Sequence, residues 1–451
     1  MGRLFGTDGV RGIANMDLTC ELALRIGRAA AMVLSGEGRR RPLVIVGKDT
    51  RTSSDMLECA LTAGLCSVGA DVLAAGVVPT PAVAYLVEKY KADAGVMISA
   101  SHNTAEYNGI KVFGGDGHKL PDALEEQIES IVIDRAQTGK LPTGQEVGKV
   151  LRCPKAVKDY VDHLTSSAMY SLDGMKIAVD CANGSASATA GKLFTDLGAE
   201  ADILFDSPDG ENINKGCGST HLEFLQSYVR EHGLEAGVAF DGDADRCLMV
   251  DAKGSVIDGD FILAICALDR KQRGKLAKNA LVGTVMTNMG LGAFCEENGI
   301  KFVATKVGDR FVLEEMEQEE YSLGGEQSGH IIFRDIATTG DGQLTAVQLL
   351  SLMKRSGKTL EELASVMTRY PQAMENITVS KEGKLAFYTD PEIKAAVEKA
   401  KQELGKNGRI VVRASGTEPL IRVMAEGKDI DEITRVLKET AEVVKQRLAE
   451  K

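Results

Sequence analysis

Three segments of the chain share one pattern, an unbroken apolar run followed by a polar or glycine-containing turn and then by helix-forming sequence. They are LVIVGKDTRTS from Leu43, MKIAVDCANGSAS from Met175 and LVGTVMTNMGLG from Leu281. Apolar runs without alternation are typical of strands that are covered on both faces, as in parallel or mixed α/β sheets. The pattern therefore predicts three similar α/β domains with mixed sheets.

The pattern changes after Tyr370, where strand-like NITVS, RIVVRAS and PLIRVMAEG alternate with helical sequence. The last helix begins near Asp429 and has Glu432 three residues later, which is the spacing of a capping box. These elements predict a smaller C-terminal α+β domain. A chain of 451 residues is too long for one hydrophobic core. We expect four domains, at residues 1–156, 157–255, 256–369 and 370–451.

Charge and cysteine usage limit the partners of this chain. The formal net charge of −12 repels nucleic acids and anionic membranes, so neither is an expected partner. An anionic ligand would have to bind at a few local arginines, lysines or helix N-termini. The nine cysteines contain no C-x-x-C pair, and the N-terminus resembles no signal peptide. We therefore expect reduced thiols and a cytoplasmic location.

The segment AGVMISASHNTAEYNGIKVFGG places Ser101 and His102 in a loop after an apolar strand. Ligands commonly bind at the carboxyl ends of strands in α/β proteins, so Ser101 is a candidate nucleophile. It is not in a G-x-S-x-G elbow, which argues against an α/β-hydrolase. Taken alone, such a Ser-His pair is more often ordinary loop chemistry.

The segment FDGDADR places Asp241, Asp243 and Asp245 at alternate positions after another strand. An extended backbone puts the three carboxylates on one side, which is unfavourable unless a cation neutralises them. An EF-hand would need glycine and glutamate where this chain has Arg246 and Ala252. The spacing therefore predicts a Mg²⁺ site, with a solvated acidic turn as the alternative.

The segment LGGEQSGHIIF offers a carboxylate, a hydroxyl and an imidazole from Glu326, Ser328 and His330 between glycines. Carboxylate and hydroxyl groups suit the vicinal hydroxyls of a sugar. A plain glycine-rich turn is the alternative for this segment taken alone.

The segment RASGTEPLIR resembles a phosphate-binding loop. Arg413 and Arg422 supply bidentate positive charge, and the intervening Ser-Gly-Thr run supplies hydroxyl and backbone N–H donors. An ordinary turn with surface arginines is the alternative.

Together with FGTDGVRG near the start, these segments occur in an order that resembles the alpha-D-phosphohexomutase family over essentially the whole chain. The resemblance implies four domains around a central cleft and a Mg²⁺-dependent phosphosugar mutase with a phosphorylated serine. It places Mg²⁺ at Asp241, Asp243, Asp245 and an oxygen on phosphorylated Ser101. It also implies roles for the following residues: Arg11, His102, Lys111 and Arg246 near the transferring phosphoryl group; Glu326, Ser328 and His330 on the sugar; Arg413, Ser415, Gly416, Thr417 and Arg422 on the distal phosphate.

Asp309 in TKVGDR, Gln327 and the run NINKGCGSTH resemble family members that act on glucosamine phosphate, whereas SHNT lacks a proline that many relatives have. The implied reaction interconverts glucosamine 6-phosphate and glucosamine 1-phosphate through a sugar bisphosphate, with glucosamine 1,6-bisphosphate or another hexose bisphosphate as activator. Mannose or glucose phosphate is the nearest alternative substrate, and a metal-dependent phosphatase or a sugar-phosphate sensor is a more distant one. The expected partner is a small sugar phosphate, and a homodimer is left open.

Overall fold

The structure, a computed structural model, describes residues 3–6, 8–34, 41–134, 141–415 and 420–448. In this part of the chain we find four β-sheets, of six, five, four and three strands. No helix in the described ranges is long and apolar enough to cross a membrane.

The first sheet contains six strands, and helices flank it. The strands are β1 (Val10–Ile13), β2 (Leu43–Lys48), β3 (Asp71–Val77), β4 (Ala94–Ile98), β5 (Tyr107–Gly114) and β6 (Val150–Arg152). The helices are α1 (Cys20–Leu34), α2 (Thr52–Ser67), α3 (Thr80–Tyr90) and α4 (Asp122–Asp134). The strand order is β1-β5-β4-β2-β3-β6, and β1 and β5 pair antiparallel with their neighbours.

The second sheet has the order β11-β10-β9-β7-β8. Its strands are β7 (Lys176–Asp180), β8 (Glu200–Leu204), β9 (Ala236–Phe240), β10 (Cys247–Asp251) and β11 (Val256–Ile257). The accompanying helices are α5 (Ala156–Ser167), α6 (Ala190–Asp196) and α7 (Glu223–His232).

The third sheet has the order β13-β12-β14-β15. Its strands are β12 (Ala280–Thr284), β13 (Lys301–Thr305), β14 (Leu323–Gly325) and β15 (Ile331–Phe333). This part of the sequence also contains α8 (Gly259–Gln272), α9 (Met289–Glu297), α10 (Asp309–Gln318), α11 (Gly342–Ser356) and α12 (Leu360–Ala364).

The three sheets share one strand order. The orders β3-β2-β4-β5, β8-β7-β9-β10 and β13-β12-β14-β15 each contain three parallel strands followed by one antiparallel strand. Strands β4, β9 and β12 are buried at every position, as unbroken apolar runs predict. The prediction of three similar α/β domains with mixed sheets is confirmed. In each sheet the turn into the antiparallel strand occupies the same place, at residues 99–106, 241–246 and 326–330.

The fourth sheet is antiparallel, as expected for the C-terminal α+β domain. Its strands β16 (Gln372–Thr378), β17 (Gly408–Ala414) and β18 (Leu420–Gly427) have the order β16-β18-β17. The accompanying helices are α13 (Lys381–Phe387), which the sequence analysis did not predict, α14 (Pro391–Leu404) and α15 (Ile430–Leu448). The Asp429 carboxylate accepts from the backbone N–H groups of Asp431 and Glu432 at the start of α15.

The chain forms two compact units. The first contains Met1–Met286 and Gly299–Val366, and the second contains Thr287–Asn298 and Met367–Lys451. Within the second unit, α9 is attached near its start, where the Met289 N–H donates to Glu426 at 2.9 Å. The Asn288 amide also donates to the Tyr370 carbonyl oxygen at 3.1 Å. The predicted boundaries between the four domains remain predictions.

Candidate active site

The three equivalent turns meet within the first unit. The Ser101 hydroxyl, in the turn after β4, donates to Asp241 Oδ2, in the turn after β9, at 2.6 Å. The Cys247 N–H, at the end of that second turn, donates to the Gly329 carbonyl oxygen of the turn after β14 at 3.0 Å. The turns after β4, β9 and β14 are thus neighbours in space, although 140 residues separate Ser101 from Asp241.

Ser101 has an unusual backbone. Its φ is +52°, in the left-handed region that non-glycine residues seldom adopt, and the residue is almost fully buried. Such a conformation costs on the order of 1–3 kcal/mol and is found mainly at functional sites. The His102 Nδ1 lies 3.4 Å from the Ser101 hydroxyl oxygen, so a basic nitrogen also lies near it.

Asp241, Asp243 and Asp245 form a buried group that fits a divalent cation. One carboxylate oxygen from each lies within 4.8 Å of the others. The Oδ1 atoms of Asp243 and Asp245 are buried and accept no hydrogen bond from any residue that the structure describes. Burial, together with the two neighbouring carboxylates, raises the pKa of Asp241 to about 8. Three close carboxylates with unused oxygen ligands suit Mg²⁺, which is bound through oxygen.

Lys111, on β5, faces this group of carboxylates. Its Nζ lies 2.8 Å from Asp243 Oδ2, 3.3 Å from Asp245 Oδ2 and 3.0 Å from Asp8 Oδ2. Burial acts to lower the pKa of Lys111, but Asp243 and Asp8 outweigh burial and hold it well above its ordinary value. Lys111 is therefore a fixed positive charge in this structure.

Two arginines and one histidine surround the serine turn. The Arg246 guanidinium donates to His102 Nδ1 at 3.2 Å, and Arg11 contacts Asp8 and lies 3.5 Å from the Asn103 side chain. Burial and the positive charges of Arg246 and Arg11 lower the pKa of His102 to about 4, so its imidazole is neutral. The Nε atoms of both arginines are buried without a hydrogen-bond acceptor among the described residues, which leaves donors for an anion such as a phosphoryl group.

The turn after β14, with Glu326, Ser328 and His330, lies beside the three aspartates. Glu326 Oε1 accepts from the Gly308 N–H at 3.0 Å, and the Ser328 hydroxyl oxygen is buried without a hydrogen-bond partner in the described ranges. His330 lies between Asp245 and Asp309, at 3.7 and 3.6 Å. Burial opposes protonation of His330, but these carboxylates prevail and raise its pKa.

Sequence reasoning missed several residues that complete this site. Lys119 Nζ contacts Asp309 and lies 2.5 Å from Asp8 Oδ1, and the Thr80 hydroxyl donates to Asp243 Oδ2 at 2.5 Å. Asp8 could have been found within FGTDGVRG, but Thr80 and Lys119 had no signal in the sequence because their partners are distant along the chain.

A cavity of about 240 Å³ lies next to these groups. Its polar wall includes Lys119, Asp309 and His330, and its apolar wall includes Leu120 and Leu313. It is large enough for part of a small polar ligand beside the metal group.

The predicted phosphate loop belongs to the second unit. Arg413 and Arg422 are directly opposite each other on β17 and β18, and Arg422 Nε donates to the Asn376 side chain at 3.0 Å. Burial and the Arg422 charge lower the pKa of Arg413. Like charges in such a cross-strand pair are unfavourable without an anion. Ser415 directly follows β17, whereas Gly416 and Thr417 lie outside the described residues.

Comparison with known proteins places the chain in a family. The model of phosphoglucomutase/phosphomannomutase alpha/beta/alpha domain I matches residues 2–138, domain II matches 158–254, domain III matches 258–370, and the C-terminal domain matches 374–443. Phosphoglucosamine mutase from Thermoanaerobacter sp. (strain X514) is 55% identical over 99% of this chain and 100% of the relative. The chain belongs to the phosphoglucomutase/phosphomannomutase family. The family resemblance seen in the sequence is confirmed.

Other comparisons agree with membership of the phosphoglucomutase/phosphomannomutase family. Phosphoglucosamine mutase from Clostridium acetobutylicum is 53% identical over 99% of this chain and 100% of that protein. The crystal structure of a Burkholderia thailandensis phosphoglucomutase/phosphomannomutase family protein has a TM-score of 0.82 at 24% identity and covers 98% of this chain and 97% of its own. N-acetylphosphoglucosamine mutase of Aspergillus fumigatus, solved with GlcNAc-6P and magnesium, has a TM-score of 0.71 at 17% identity and covers 98% and 96%. These two structures share the fold of this chain.

Proposed function

We propose that this protein interconverts glucosamine 6-phosphate and glucosamine 1-phosphate as a phosphosugar mutase. The observation that supports the chemistry is the Ser101 hydroxyl bonded to Asp241 within a group of three buried carboxylates. The observation that supports the substrate is the 55% identity, over nearly the whole chain, to a relative named phosphoglucosamine mutase.

In the proposed reaction phosphorylated Ser101 gives its phosphoryl group to the free hydroxyl of the sugar phosphate. The sugar O–P bond forms as the Ser101 Oγ–P bond breaks, the proton of the sugar hydroxyl ends on Ser101 Oγ, and the product is a sugar bisphosphate. The bisphosphate turns over in the site and returns its other phosphoryl group to Ser101. Such transfer depends mainly on positioning and on charge stabilisation.

Asp241, Asp243, Asp245 and a phosphoryl oxygen on Ser101 would hold Mg²⁺. When bound, this ion supplies positive charge that neutralises the phosphoryl oxygens. Lys111, Arg11 and Arg246 add fixed positive charge around the same position.

The proton-transfer roles follow from the protonation states. Lys111 and Arg11 both have a raised pKa, so each stays protonated and acts as a hydrogen-bond donor and charge stabiliser and not as a base. His102 is neutral, and its Nδ1 lies 3.4 Å from the Ser101 hydroxyl oxygen. We propose that His102 orients the serine side chain during transfer.

The remaining predicted residues bind the sugar and its second phosphate in this proposal. Glu326, Ser328 and His330 would bind sugar hydroxyls, since the buried hydroxyl of Ser328, unpaired among the described residues, and the neighbouring Glu326 carboxylate suit them. The phosphate loop, defined as Arg413, Ser415, Gly416, Thr417 and Arg422, would bind the phosphate that does not react.

Substrate choice is the finer part of the proposal. Asp309 lines the 240 Å³ cavity, but its carboxylate already contacts Lys119 and lies 3.6 Å from His330. The preference for an amino sugar therefore rests on the identity to relatives named phosphoglucosamine mutase. A hexose bisphosphate is the proposed activator, and the cytoplasm is the proposed location.

The test follows labelled phosphate among enzyme, sugar bisphosphate and inorganic phosphate, with glucosamine, mannose and glucose phosphates assayed in parallel and a bisphosphate activator present. We expect label on Ser101 and in the bisphosphate, and the highest kcat/KM on glucosamine phosphate. Equal or inverted preference would contradict the substrate assignment, and release of mainly inorganic phosphate would instead indicate a phosphatase.

A further inference from the structure

One buried guanidinium lies beneath the serine turn. The Arg51 side chain has no exposed surface. Its Nη2 donates to the carbonyl oxygens of Ser101 and Asn103, at 3.1 and 2.8 Å, and its Nη1 donates to those of Tyr107, at 3.1 Å, and Thr104. A single side chain therefore holds the backbone of the turn at four points, including the residue that has the proposed phosphoryl group.

A carboxylate orients this guanidinium and reaches Ser101 through a second serine. Asp49 Oδ2 accepts from Arg51 Nε at 2.8 Å and from the Ser99 hydroxyl at 2.6 Å. The Ser99 oxygen in turn accepts from the Ser101 N–H at 3.0 Å. Both the N–H and the carbonyl group of Ser101 are thus held by one network that begins in the turn after β2.

Asn214, in the part of the chain that matches domain II, adds a second set of contacts to the serine turn. Asn214 Nδ2 donates to the carbonyl oxygens of Ser101 and Asn103, each at 2.9 Å. Gly242, between the first two metal-site aspartates, permits this approach, because a Cβ there would lie 2.6 Å from the Ser101 carbonyl oxygen. The same two carbonyl groups are therefore bonded from both domains.

We propose that Arg51 and Asn214 are positioning residues that fix Ser101 in its left-handed conformation and direct its hydroxyl to Asp241. The inference rests on the proposed role of Ser101 in phosphoryl transfer. A non-glycine residue at φ +52° returns to an ordinary backbone conformation unless its peptide groups are restrained from both sides. Arg51 and Asn214 supply that restraint through hydrogen bonds to the backbone of the turn.

The guanidinium group is required for this role because it is planar and has five N–H donors. Lysine at position 51 would keep the charge, but its ammonium group is a single point with three donors and cannot reproduce the fork that reaches four carbonyl groups. Removing Asn214 tests the second contact separately. Asn214 itself has φ +57°, so Asn214→Gly removes the side chain without straining the backbone.

The experiment compares Arg51→Lys and Asn214→Gly with Arg270→Lys in the full chain. Arg270 is a matched control, since its side chain is also buried and pairs with Asp335 at 2.6 Å, outside the site. We expect kcat to fall about tenfold to a hundredfold in both test variants, because small displacements of a reacting group have effects of this size. KM for the sugar phosphate should stay within about threefold, since ground-state binding is kept. The control should keep its kcat.

A normal kcat in Asn214→Gly, together with a normal kcat in Arg51→Lys, would overturn the proposal. A loss of kcat in Arg270→Lys equal to that in Arg51→Lys would also overturn it, because the effect would then be a general result of disturbing a buried arginine. If Arg51→Lys does not fold, Asn214→Gly decides. The proposed function is tested separately by Ser101→Ala: activity that survives this change refutes the role of Ser101, whereas an inactive Ser101→Ala beside fully active positioning variants refutes only the present inference.

Discussion

The three aspartates after β9 have different hydrogen-bond partners, which suggests different roles for them. Asp241 accepts from Ser101, Asp243 accepts from Thr80 and Lys111, and Asp245 lies between Lys111 and His330. Asp243 is therefore a proposed metal ligand that accepts side-chain hydrogen bonds from two residues, and it provides a single-residue test of the proposed metal site.

We expect Asp243→Asn to raise the Mg²⁺ concentration needed for half-maximal turnover and to reduce kcat at least a hundredfold, since a charged ligand contributes several kcal/mol to phosphoryl stabilisation. Titration of activity with Mg²⁺ measures both effects. Asp251→Asn is the control, because Asp251 is also buried and ends β10 but lies outside the triad. An unchanged Mg²⁺ response in Asp243→Asn would place the metal elsewhere.

At this scale the sequence predicted the candidate reactive residues better than the residues that position them. Ser101 and the aspartates stand in short motifs next to apolar strands, so local pattern was sufficient to propose them. Thr80 and Arg51 act through partners that are 163 and 50 residues away, at Asp243 and Ser101. The first pairing depends on the packing of the first sheet against the second, and the other depends on β4 lying beside β2 in one sheet. Local pattern encodes neither arrangement.

At the scale of elements, the turns into β5, β10 and β15 approach each other closely enough to require glycine. A Cβ on Gly242 would lie 2.6 Å from the Ser101 carbonyl oxygen and 2.8 Å from Asn214 Nδ2. Neither neighbour can move away without disturbing the serine turn.

Gly242→Ala should therefore lower both kcat and the melting temperature, with a loss of about 1–3 kcal/mol in the free energy of unfolding, the usual range for overpacking. Thermal unfolding and steady-state kinetics measure these effects. Gly191→Ala in α6 is the control, since a Cβ there meets nothing within 4 Å. Equal behaviour of the two variants would mean that the turns can separate at little cost.

The hairpin of β17 and β18 permits a test of the phosphate loop. Changing Arg413 and Arg422 together to Ala should weaken binding of the sugar phosphate by roughly two orders of magnitude, because each charged hydrogen bond contributes about 1.5–3 kcal/mol. Phosphorylation of Ser101 should persist, since Ser101 belongs to the other unit.

Equilibrium binding of the sugar phosphate measures the expected loss of affinity. The intact mass of the protein shows whether Ser101 is still phosphorylated. Arg435→Ala is a control for lost positive charge in the same unit, because this arginine pairs with Glu403 and Glu439 on the helical side. A double variant that isomerises normally would show that these arginines do not bind the distal phosphate.

At the scale of the whole molecule, the succession of three similar α/β domains along the chain was predictable, because the pattern of a buried apolar strand followed by a turn and a helix occurs three times. The C-terminal α+β domain was also predictable, since strand-like segments alternate there with helical sequence. The attachment of α9 to the C-terminal unit was not predictable, because the sequence MGLGAF reads as an ordinary helix after a strand of the third sheet. Its contacts with Glu426 arise from residues far along the chain.

Helices α5 and α11, which accompany the second and third sheets, are joined by a buried hydrogen bond whose strength should depend on pH. The Tyr160 hydroxyl, on α5, donates to Asp341 Oδ2, at the start of α11, at 2.8 Å. Burial raises the pKa of Asp341 from 3.8 to about 6, whereas the bond from Tyr160 acts to lower it. Because this folded-state pKa is above the unfolded value, the stability that Asp341 contributes is full below about pH 4 and is lost as pH rises through 6.

Tyr160→Phe should destabilise the protein by about 1–3 kcal/mol, since it leaves a buried acceptor without its donor. The loss should be larger at pH 8 than at pH 5, because an ionised carboxylate needs the donor more than a neutral one does. Denaturant unfolding at both pH values measures the difference. Tyr170→Phe, at an exposed tyrosine, is the control, and an effect of Tyr160→Phe that grows toward pH 5 would contradict the assignment.

The early position of α9 in the chain affects the order in which the protein can fold during synthesis. The Met289 N–H donates to Glu426, which the ribosome adds 137 residues later. At about 5–20 residues per second this interval is on the order of ten seconds. During that time α9 lacks its hydrogen bond to β18, the strand that contains Glu426. The second unit, to which α9 belongs, can therefore be completed only after β18 has been synthesised.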